Sequence, residues 1–249
     1  MDDTTEDAVL GGRVRLVQAA RGYRAGLDAA LLAAACDAGP GARVIEAGCG
    51  AGAALLAAAT RRPQARFLGV ERDPTAGALA RENAALNGVS ERVEIIEADV
   101  AAAFPALGVA PFDAALANPP FFDDPGAIRG PAPARRGAWL AEGGLGAWTG
   151  FLLKAVREGG TITVIHRADR LADILALLGE RAGSFQVRPV HPFAGEPAKR
   201  VLVRAVRTGK APLKLLPPLV LHARTGETGA KHTPEAEAIL RGRAALDWA

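Results

Sequence analysis

Residues 43–52 read Arg-Val-Ile-Glu-Ala-Gly-Cys-Gly-Ala-Gly. The first five form a short, largely apolar run that ends in glycines, which is typical of a buried strand. Gly48, Gly50 and Gly52 then let the chain turn tightly and let a ligand approach the backbone. A helix-forming stretch follows, so the segment predicts a strand–turn–helix unit with a nucleotide-like ligand at the turn. The same glycines with Ala53 also satisfy the dinucleotide pattern, so the turn alone does not choose the ligand.

Strands and helices alternate beyond this turn. The predicted core strands are residues 43–47, 67–71, 93–97, 112–117, 161–166, 185–190 and 201–207. The predicted core helices are residues 53–62, 74–87, part of 138–158, and 171–181. This alternation implies parallel βαβ units and a doubly wound α/β sheet with helices on both faces.

Shorter elements are expected on either side of this core. The predictions are a frayed tail at 1–12, a strand at 13–18, a helix at 28–37, an extended segment at 213–222 and a helix at 233–243. We therefore divide the chain into an N-terminal segment (1–42), a core (43–208) and a basic C-terminal extension (209–249) of the same domain.

Composition excludes several protein classes. Of the 249 residues 23% are charged, which argues against a disordered chain. The longest apolar run, residues 29–36, is far too short to span a membrane. The acidic N-terminus has no apolar segment, so a cytoplasmic protein is expected. Two cysteines, Cys36 and Cys49, are too few for a disulfide framework or a structural zinc site, and no metal is expected.

The net charge of +3 conceals an uneven distribution. Residues 181–249 contain twelve Lys or Arg and five Asp or Glu, a charge of +7, whereas the rest of the chain carries −4. A basic third on a neutral-to-acidic body is one mark of a nucleic-acid-binding surface, and a solvated surface is the simpler alternative.

Three carboxylates accompany the glycine turn. Glu71 ends the second core strand, where it can accept both hydroxyls of a ribose, and Asp99 follows the third, where it can meet an adenine amine. Acids at successive strand ends favour a cofactor site at this edge of the sheet. Glu46 lies within the first core strand, where a buried acid is costly unless a cationic ligand pairs with it.

A rigid corner, Asn118-Pro119-Pro120-Phe121, follows the fourth core strand. Two consecutive prolines fix the backbone and remove two N–H donors. The Asn118 side-chain oxygen and the Pro119 carbonyl can then both accept hydrogen bonds from one planar NH2 group. This arrangement suits methylation of an exocyclic or amide nitrogen, with catalysis by positioning and charge placement. Phe121 and Phe122 can stack on a planar base.

These motifs resemble those of the class I S-adenosylmethionine-dependent methyltransferases. The resemblance implies a Rossmann-like, seven-stranded, mostly parallel sheet whose last strand is antiparallel. It assigns Glu46 and the glycines to the amino-acid moiety of S-adenosylmethionine, Glu71 to the ribose, and Asp99 with Val100 to the adenine. Arg72 and Asn118 are also placed among the cofactor-binding residues. The Asn-Pro-Pro-Phe/Tyr tetrapeptide resembles that of amino-group methyltransferases acting on adenine N6, guanine N2 or glutamine N5.

Outside the core, the chain is similar to the bacterial methyltransferases that modify N6 of the adenosine next to the anticodon of a valine tRNA. Residues 18–32, 166–171 and 191–221 carry this likeness, and with the core it spans roughly residues 13–245. The resemblance places Tyr23 and Asp28 near the methionine end of the cofactor. The family commonly has Tyr where this chain has Phe121, and Phe also occurs in guanine-N2 enzymes.

The partner expected from this resemblance is RNA, most simply tRNA. Arg129, Arg135 and Arg136 follow the corner and are candidates for phosphate contacts when the target base is flipped into the site. His166 receives no catalytic role, and Cys49 is interpreted as a packing residue.

Four functional classes stay open on the sequence alone. The first is an RNA adenine-N6 methyltransferase, with guanine N2 as its variant. The second is a protein glutamine-N5 methyltransferase, although only about forty residues precede the first core strand and its relatives carry a helical N-terminal domain. The others are a nicotinamide-dependent oxidoreductase, which leaves the tetrapeptide unused, and a binding module with an inactive site.

Overall fold

The computed structural model describes residues 4–20, 26–102, 104–120, 144–224 and 230–249. The strands are β1 (Thr4–Val9), β2 (Val14–Ala19), β3 (Arg43–Ala47), β4 (Arg66–Glu71), β5 (Val93–Glu97), β6 (Phe112–Ala117), β7 (Val156–Arg167), β8 (Ala182–His191), β9 (Arg200–Arg207), β10 (Lys214–Leu215) and β11 (Leu219–Val220). The α-helices of the described ranges are α1 (Leu27–Ala34), α2 (Ala53–Arg61), α3 (Pro74–Leu86), α4 (Gly144–Ala155), α5 (Leu171–Gly179) and α6 (Pro234–Leu240). None of the helices in these ranges has the length and apolarity to cross a membrane.

The main sheet confirms the predicted architecture. Its order is β10-β8-β9-β7-β6-β3-β4-β5, with β11 also paired to β8. Strands β3 to β7 run parallel, and β9 is antiparallel to both β7 and β8, so the last of the seven predicted strands has the expected direction. Two further strands of two residues each, β10 and β11, pair with the outer strand β8 and raise the count to nine.

Helices cover both faces of this sheet. One apolar cluster lies under α1, α2, α3 and α6 and includes Val44 and Phe67. The other lies under α4 and α5 and includes Ile45, Leu68 and Val70. Successive residues of each central strand thus enter opposite cores, which explains why these strands are apolar throughout rather than alternating.

The C-terminal residues pack on the first of these faces. The buried Trp248 donates its indole N–H to the Ala35 carbonyl at the end of α1, at 2.8 Å, and the Leu246 N–H donates to Ala34 at 3.0 Å. On β8, Arg188 is almost fully buried and donates to the Pro217 carbonyl at 2.9 Å. Part of the basic charge near the C-terminus therefore lies inside the protein, where the two terminal nitrogens of Arg188 donate to backbone carbonyl oxygens.

The expectation of a frayed tail at 1–12 is wrong for most of its length. Residues Thr4–Val9 form β1, which pairs antiparallel with β2 over six residues. The sequence of β1 is mainly polar, and its side chains alternate between exposed and partly buried positions. A strand that pairs with another strand without packing on a core contains few apolar residues. The hydrophobic pattern of the sequence therefore predicted no strand there.

Two asparagines of α3 attach this hairpin to the domain. Asn83 accepts from the Val17 N–H at 2.7 Å and donates to the Val17 carbonyl at 2.9 Å. One turn later, Asn87 makes the same pair of bonds with Arg15, at 2.9 and 2.7 Å. The two side-chain amides therefore act as a neighbouring strand for the outer edge of β2, satisfying backbone groups that would otherwise lack partners.

The predicted helix within 138–158 also ends differently. Helix α4 stops at Ala155, and Val156 already pairs with Phe112 of β6. The glycines expected to stop the helix, Gly159 and Gly160, lie in an irregularity of β7 instead, between the Val156 pair and the Thr161–Ala114 pair. A side chain at Gly160 would place its Cβ 2.6 Å from the Asp113 carbonyl oxygen, so close backbone contact requires glycine there.

Candidate active site

Strand register brings the predicted site residues to one edge of the sheet. Ala47 pairs with Ala117 on one side and with Val70 on the other, and Glu71 pairs with Glu97. The segments that follow these residues, including Gly48, Asn118 and Asp99, therefore leave the sheet side by side. The strand order changes direction between β3 and β6, where open α/β sheets bind their ligands.

The glycine turn has the backbone shape that its sequence requires. Gly48, Gly50 and Gly52 all have positive φ, at 63°, 55° and 88°, a region that side chains disfavour. A Cβ on Gly48 would lie 2.2 Å from the Trp148 ring of α4, whereas one on Gly50 would meet no atom within 4 Å. The turn is thus packed against Trp148 at Gly48 and open at Gly50. An open backbone position of this kind allows a ligand to approach.

Glu71 holds the open part of this turn. Its Oε2 accepts from the Gly50 N–H at 2.8 Å, and its Oε1 accepts from the Asp73 N–H at 2.9 Å. One carboxylate thereby ties the loop after β3 to the loop after β4. Each oxygen keeps a second lone pair for a ligand hydroxyl, so this position is compatible with the predicted ribose contact.

The predicted adenine end lies beside it, after β5. Asp99 accepts from the Ala101 N–H at 2.8 Å, and one of its oxygens lies 3.7 Å from an Arg72 nitrogen. Both side chains are partly exposed, so this ion pair is weak and leaves the carboxylate accessible. Val100 is buried and supplies an apolar surface next to it.

Glu46 is the most constrained acid in this region. Its side chain is 2% exposed, and Oε2 has no hydrogen-bond partner among the described residues. Burial raises the pKa of this carboxyl well above its ordinary value, the negative charge of Glu71 raises it further, and a Leu55 backbone hydrogen bond lowers it. A cationic group next to this oxygen would supply the missing partner, which is what an amino acid-bearing cofactor offers.

Cys49 behaves as a packing residue. Its N–H donates to the Val70 carbonyl at 3.0 Å, and a Cβ on Gly69 would lie 2.7 Å from its sulfur, so the thiol fills the space above a glycine of β4. Burial raises the pKa of the Cys49 thiol well above its ordinary value, and the charges of Glu46 and Glu71 raise it further. A thiol held protonated in this way is a poor nucleophile.

The corner after β6 is described only in part. Asn118 and Pro120 are partly buried, and Pro119 is buried. Several predicted residues lie outside the described residues: Tyr23, Phe121, Phe122, Arg129, Arg135 and Arg136. Asp28 lies in the first turn of α1 and pairs with Arg200, the first residue of β9, at 3.0 Å. This ion pair was not expected from the sequence, since the two residues are far apart in the chain.

Asn83 contacts the glycine turn as well as the hairpin. The same amide nitrogen that donates to Val17 also donates to the Ala51 carbonyl at 3.0 Å, and the side chain is fully buried. Asn83 thus fixes the glycine turn by holding Ala51, the residue between Gly50 and Gly52. Sequence analysis missed it because an asparagine inside a helix has no pattern that reveals its partners.

Removing this amide should loosen the turn. We expect Asn83→Ala to weaken binding of S-adenosylhomocysteine, the demethylated form of the cofactor implied by the motifs, by roughly tenfold, as for one lost buried hydrogen bond. Asn87→Ala is the matched control, because it also detaches β2 but does not touch the turn. Calorimetric titration should give a control affinity within about twofold of wild type, and equal losses in both variants would refute the positioning role.

The buried acid predicts an unusual pH dependence of stability. Because the folded state raises the pKa of Glu46 above 4.5, it keeps a proton that the unfolded chain loses, and the free energy of unfolding due to this group falls as pH rises above 4.5. Relative to wild type, Glu46→Gln should therefore gain stability progressively between pH 4.5 and the raised pKa. Urea denaturation over this range measures the difference.

The control for this series is Glu94→Gln, at an exposed position of β5. It should change the free energy of unfolding by less than about 0.5 kcal/mol at each pH. A difference between wild type and Glu46→Gln that does not vary with pH would show that Glu46 carries its charge at little cost in the folded protein.

Comparison with known proteins relates this chain to a family of methyltransferases. Residues 24–129 match the family described as "Methyltransferase small domain". A tRNA1(Val) (adenine(37)-N6)-methyltransferase from Aeromonas hydrophila is 33% identical over 187 residues, covering 74% of this chain and 77% of that protein. A release factor glutamine methyltransferase from Chlorobaculum tepidum is 30% identical over 165 residues, covering 63% of this chain. The chain spans only 56% of that second relative's length.

Solved structures agree with the sequence relatives. A crystal structure from Agrobacterium tumefaciens, described as a predicted O-methyltransferase, superposes with a TM-score of 0.72 at 30% identity, covering 88% of this chain and 98% of that one. An S-adenosylmethionine-dependent O-methyltransferase from Thermotoga maritima shares the fold at 18% identity and a TM-score of 0.54, covering 77% of this chain and 69% of that one.

The cofactor of these proteins fits the residues present. The turn is open at Gly50, and Glu46 offers a buried carboxylate oxygen that lacks a partner among the described residues. Both features match a ligand that carries an ammonium group and a nucleoside. The chain belongs to the class I S-adenosylmethionine-dependent methyltransferases.

Proposed function

We propose that this methyltransferase modifies an exocyclic amino nitrogen of a base in RNA, and that its substrate is N6 of an adenosine next to the anticodon of a tRNA. The observation that carries the proposal is the Asn118-Pro119-Pro120 corner at the end of β6. Its strand neighbour is β3, and Ala117 and Ala47, the residues that precede the corner and the glycine turn, are paired. The target nitrogen and the methyl donor would therefore meet at adjacent strand ends.

The chemistry assigned to the corner follows from its acceptors. Bound S-adenosylmethionine supplies an electrophilic methyl group. The Asn118 side-chain oxygen and the Pro119 carbonyl would accept hydrogen bonds from the two N–H groups of an NH2 group and orient its lone pair. An exocyclic nitrogen is a weak nucleophile because its lone pair is delocalised, and two acceptors favour the tetrahedral geometry in which it attacks. Positioning thus replaces a strong base.

The same proposal assigns the remaining site residues. Glu46, Gly48, Gly50 and Gly52 would hold the amino-acid part of the cofactor, Glu71 the ribose, and Asp99 with Val100 the adenine. Arg72 would also contact the cofactor. Tyr23 and Asp28 would close the methionine end. Phe121 and Phe122 would stack on the base, and Arg129, Arg135 and Arg136 would contact phosphates.

Two observations support RNA as the substrate. Residues 181–249 carry a charge of +7, which suits a polyanion. Of the relatives above, the tRNA1(Val) (adenine(37)-N6)-methyltransferase matches the larger share of both chains. The release factor glutamine methyltransferase supports the alternative of a protein amide, since the same acceptor pair would serve both nitrogens.

Product analysis tests the proposal. Purified enzyme and methyl-labelled S-adenosylmethionine are incubated with total tRNA from cells that lack the gene, and nucleosides are identified by mass spectrometry. We expect N6-methyladenosine. N2-methylguanosine would keep the mechanism and change the base, in line with Phe121. A ribose 2′-O-methyl product would overturn the role of the corner, and label in release factor but not in tRNA would establish the protein alternative.

A variant of the corner tests the mechanism. Asn118→Ala should lower kcat by at least ~10²-fold, the size of effect seen when one preorganised hydrogen-bonding group is removed. The affinity for S-adenosylhomocysteine should change by less than about threefold, because the glycine turn is intact. Single-turnover transfer and calorimetric titration measure the two effects, with Asn87→Ala as a control that affects neither. Transfer at the wild-type rate would exclude the proposed role of Asn118.

A further inference from the structure

Three distant segments converge at the outer end of the sheet. They are the loop between β8 and β9, the residues after β11, and the residues before α6. The His222 N–H donates to the Pro192 carbonyl at 2.9 Å, the Thr233 N–H donates to Leu221 at 3.0 Å, and His222 forms an isolated bridge with His232. We define the outer-edge surface as Phe193, Lys199, His222, Arg224, Lys231 and His232.

The outer-edge surface lies at the same end of the sheet as the glycine turn and Asn118. Strand β8 runs in the direction of β7, and Val190 of β8 pairs with Arg200, which pairs with Arg167 at the end of β7. Three strand spacings separate β6 from β8, which is about 14 Å. That distance corresponds to about four stacked nucleotides at ~3.4 Å each.

Three aromatic rings lie together within this surface, and we refer to them as the ring stack, although only two of them are stacked. The rings of His222 and His232 are stacked, with centroids 5.1 Å apart and an interplanar angle of 27°. The Phe193 ring lies 5.3 Å from His222 at 43°. All three side chains are partly exposed. Stacked rings at a protein surface offer π-faces to unpaired bases.

Exposed cations surround the stack. Lys199, Arg224 and Lys231 are exposed, and no carboxylate forms an ion pair with any of the three within the part of the chain that is described. Arg224 is anchored by a hydrogen bond to the Ala194 carbonyl at 3.1 Å. The nearby anions are Glu196, Glu235 and Glu237, and Glu237 forms an ion pair with Arg241, so three cations face two anions without such a partner among the described residues.

We propose that the outer-edge surface docks RNA beside the nucleotide that is methylated. The stack of Phe193, His222 and His232 contacts unpaired bases, and Lys199, Arg224 and Lys231 contact phosphates. Single-stranded loops are recognised through this combination of ring stacking and backbone neutralisation. The inference rests on the proposed function, because it assumes an RNA substrate, and it assigns contacts that neither the glycine turn nor the corner provides.

The test compares two triple variants of equal charge. Lys199→Ala with Arg224→Ala and Lys231→Ala alters the outer-edge surface. Arg66→Ala with Arg181→Ala and Lys210→Ala removes three exposed cations from the opposite end of the sheet, where β4 and β8 begin and β9 ends. We expect the first variant to raise KM for tRNA at least tenfold with KM for S-adenosylmethionine unchanged. We also expect it to reduce the slope of log K against log salt by about 2 to 3.

A third variant tests the ring stack. Phe193→Leu should weaken tRNA binding roughly fivefold or more without changing the slope of log K against log salt. Phe193→Trp, which keeps an aromatic ring, should bind tRNA as wild type does. Thermal unfolding of each variant, with and without S-adenosylhomocysteine, confirms that the fold and the cofactor site are intact.

The outcomes separate this inference from the proposed function. If wild type methylates tRNA but both triple variants lose affinity for tRNA equally, the outer-edge surface contributes only to the overall electrostatic attraction between the protein and tRNA. The inference is then wrong, while the proposed function stands. The same conclusion follows if neither triple variant differs from wild type. If wild type methylates a protein and binds no tRNA, the proposed function fails, and the inference fails with it.

Discussion

The hydrogen bond between the Gly50 N–H and Glu71 is the contact on which the geometry of the site depends. It fixes the most open residue of the glycine turn to the end of the neighbouring strand at 2.8 Å. The turn is held from behind by Asn83 through Ala51, and from the opposite face by Trp148 against Gly48. Three elements therefore impose one backbone shape on a segment that positive φ angles would otherwise leave loosely determined. Because several contacts fix the same backbone conformation, the turn can bind a ligand without rearranging.

The two halves of the sheet have different electrostatic characters. In the half formed by β3, β4 and β5, Glu71 ends β4 and Asp99 follows β5, where the cofactor is proposed to bind. The other half leads through β7 and β9 to β8 and the outer-edge surface. Residues 1–180, which include β3 to β7, carry a charge of −4, whereas residues 181–249, which include β8 and β9, carry +7. If the substrate is RNA, as proposed, this division places a cationic cofactor and a polyanion next to opposite charges.

Much of the fold and part of the site could be predicted from the sequence. Strands β3, β5 and β6 have the predicted bounds. The central strands β3 and β6 are mainly apolar and buried, and a glycine turn or the Asn118-Pro119-Pro120 corner follows them, whereas β5 is an edge strand in which Glu94 lies exposed between the buried Val93 and Ile95. Long-range polar contacts could not be predicted in this way. Asn83 binds Val17 and Ala51, and Arg200 binds Asp28, across separations that no local pattern records. Strand β1 was missed for a related reason, because its stability comes from pairing rather than from burial.

Glu46 shows how a local violation of packing rules can indicate function. A carboxyl that is 2% exposed in the middle of an apolar strand, with one oxygen lacking a partner among the described residues, lowers the stability of the folded chain alone. An apolar residue of similar size would pack there at no such cost, since its strand neighbours Ile45 and Ala47 are apolar and buried. The role proposed for Glu46 accounts for this acid. A cationic ligand beside the carboxylate would offset the cost of burial, and that cost would then become a difference in affinity between cationic and neutral ligands.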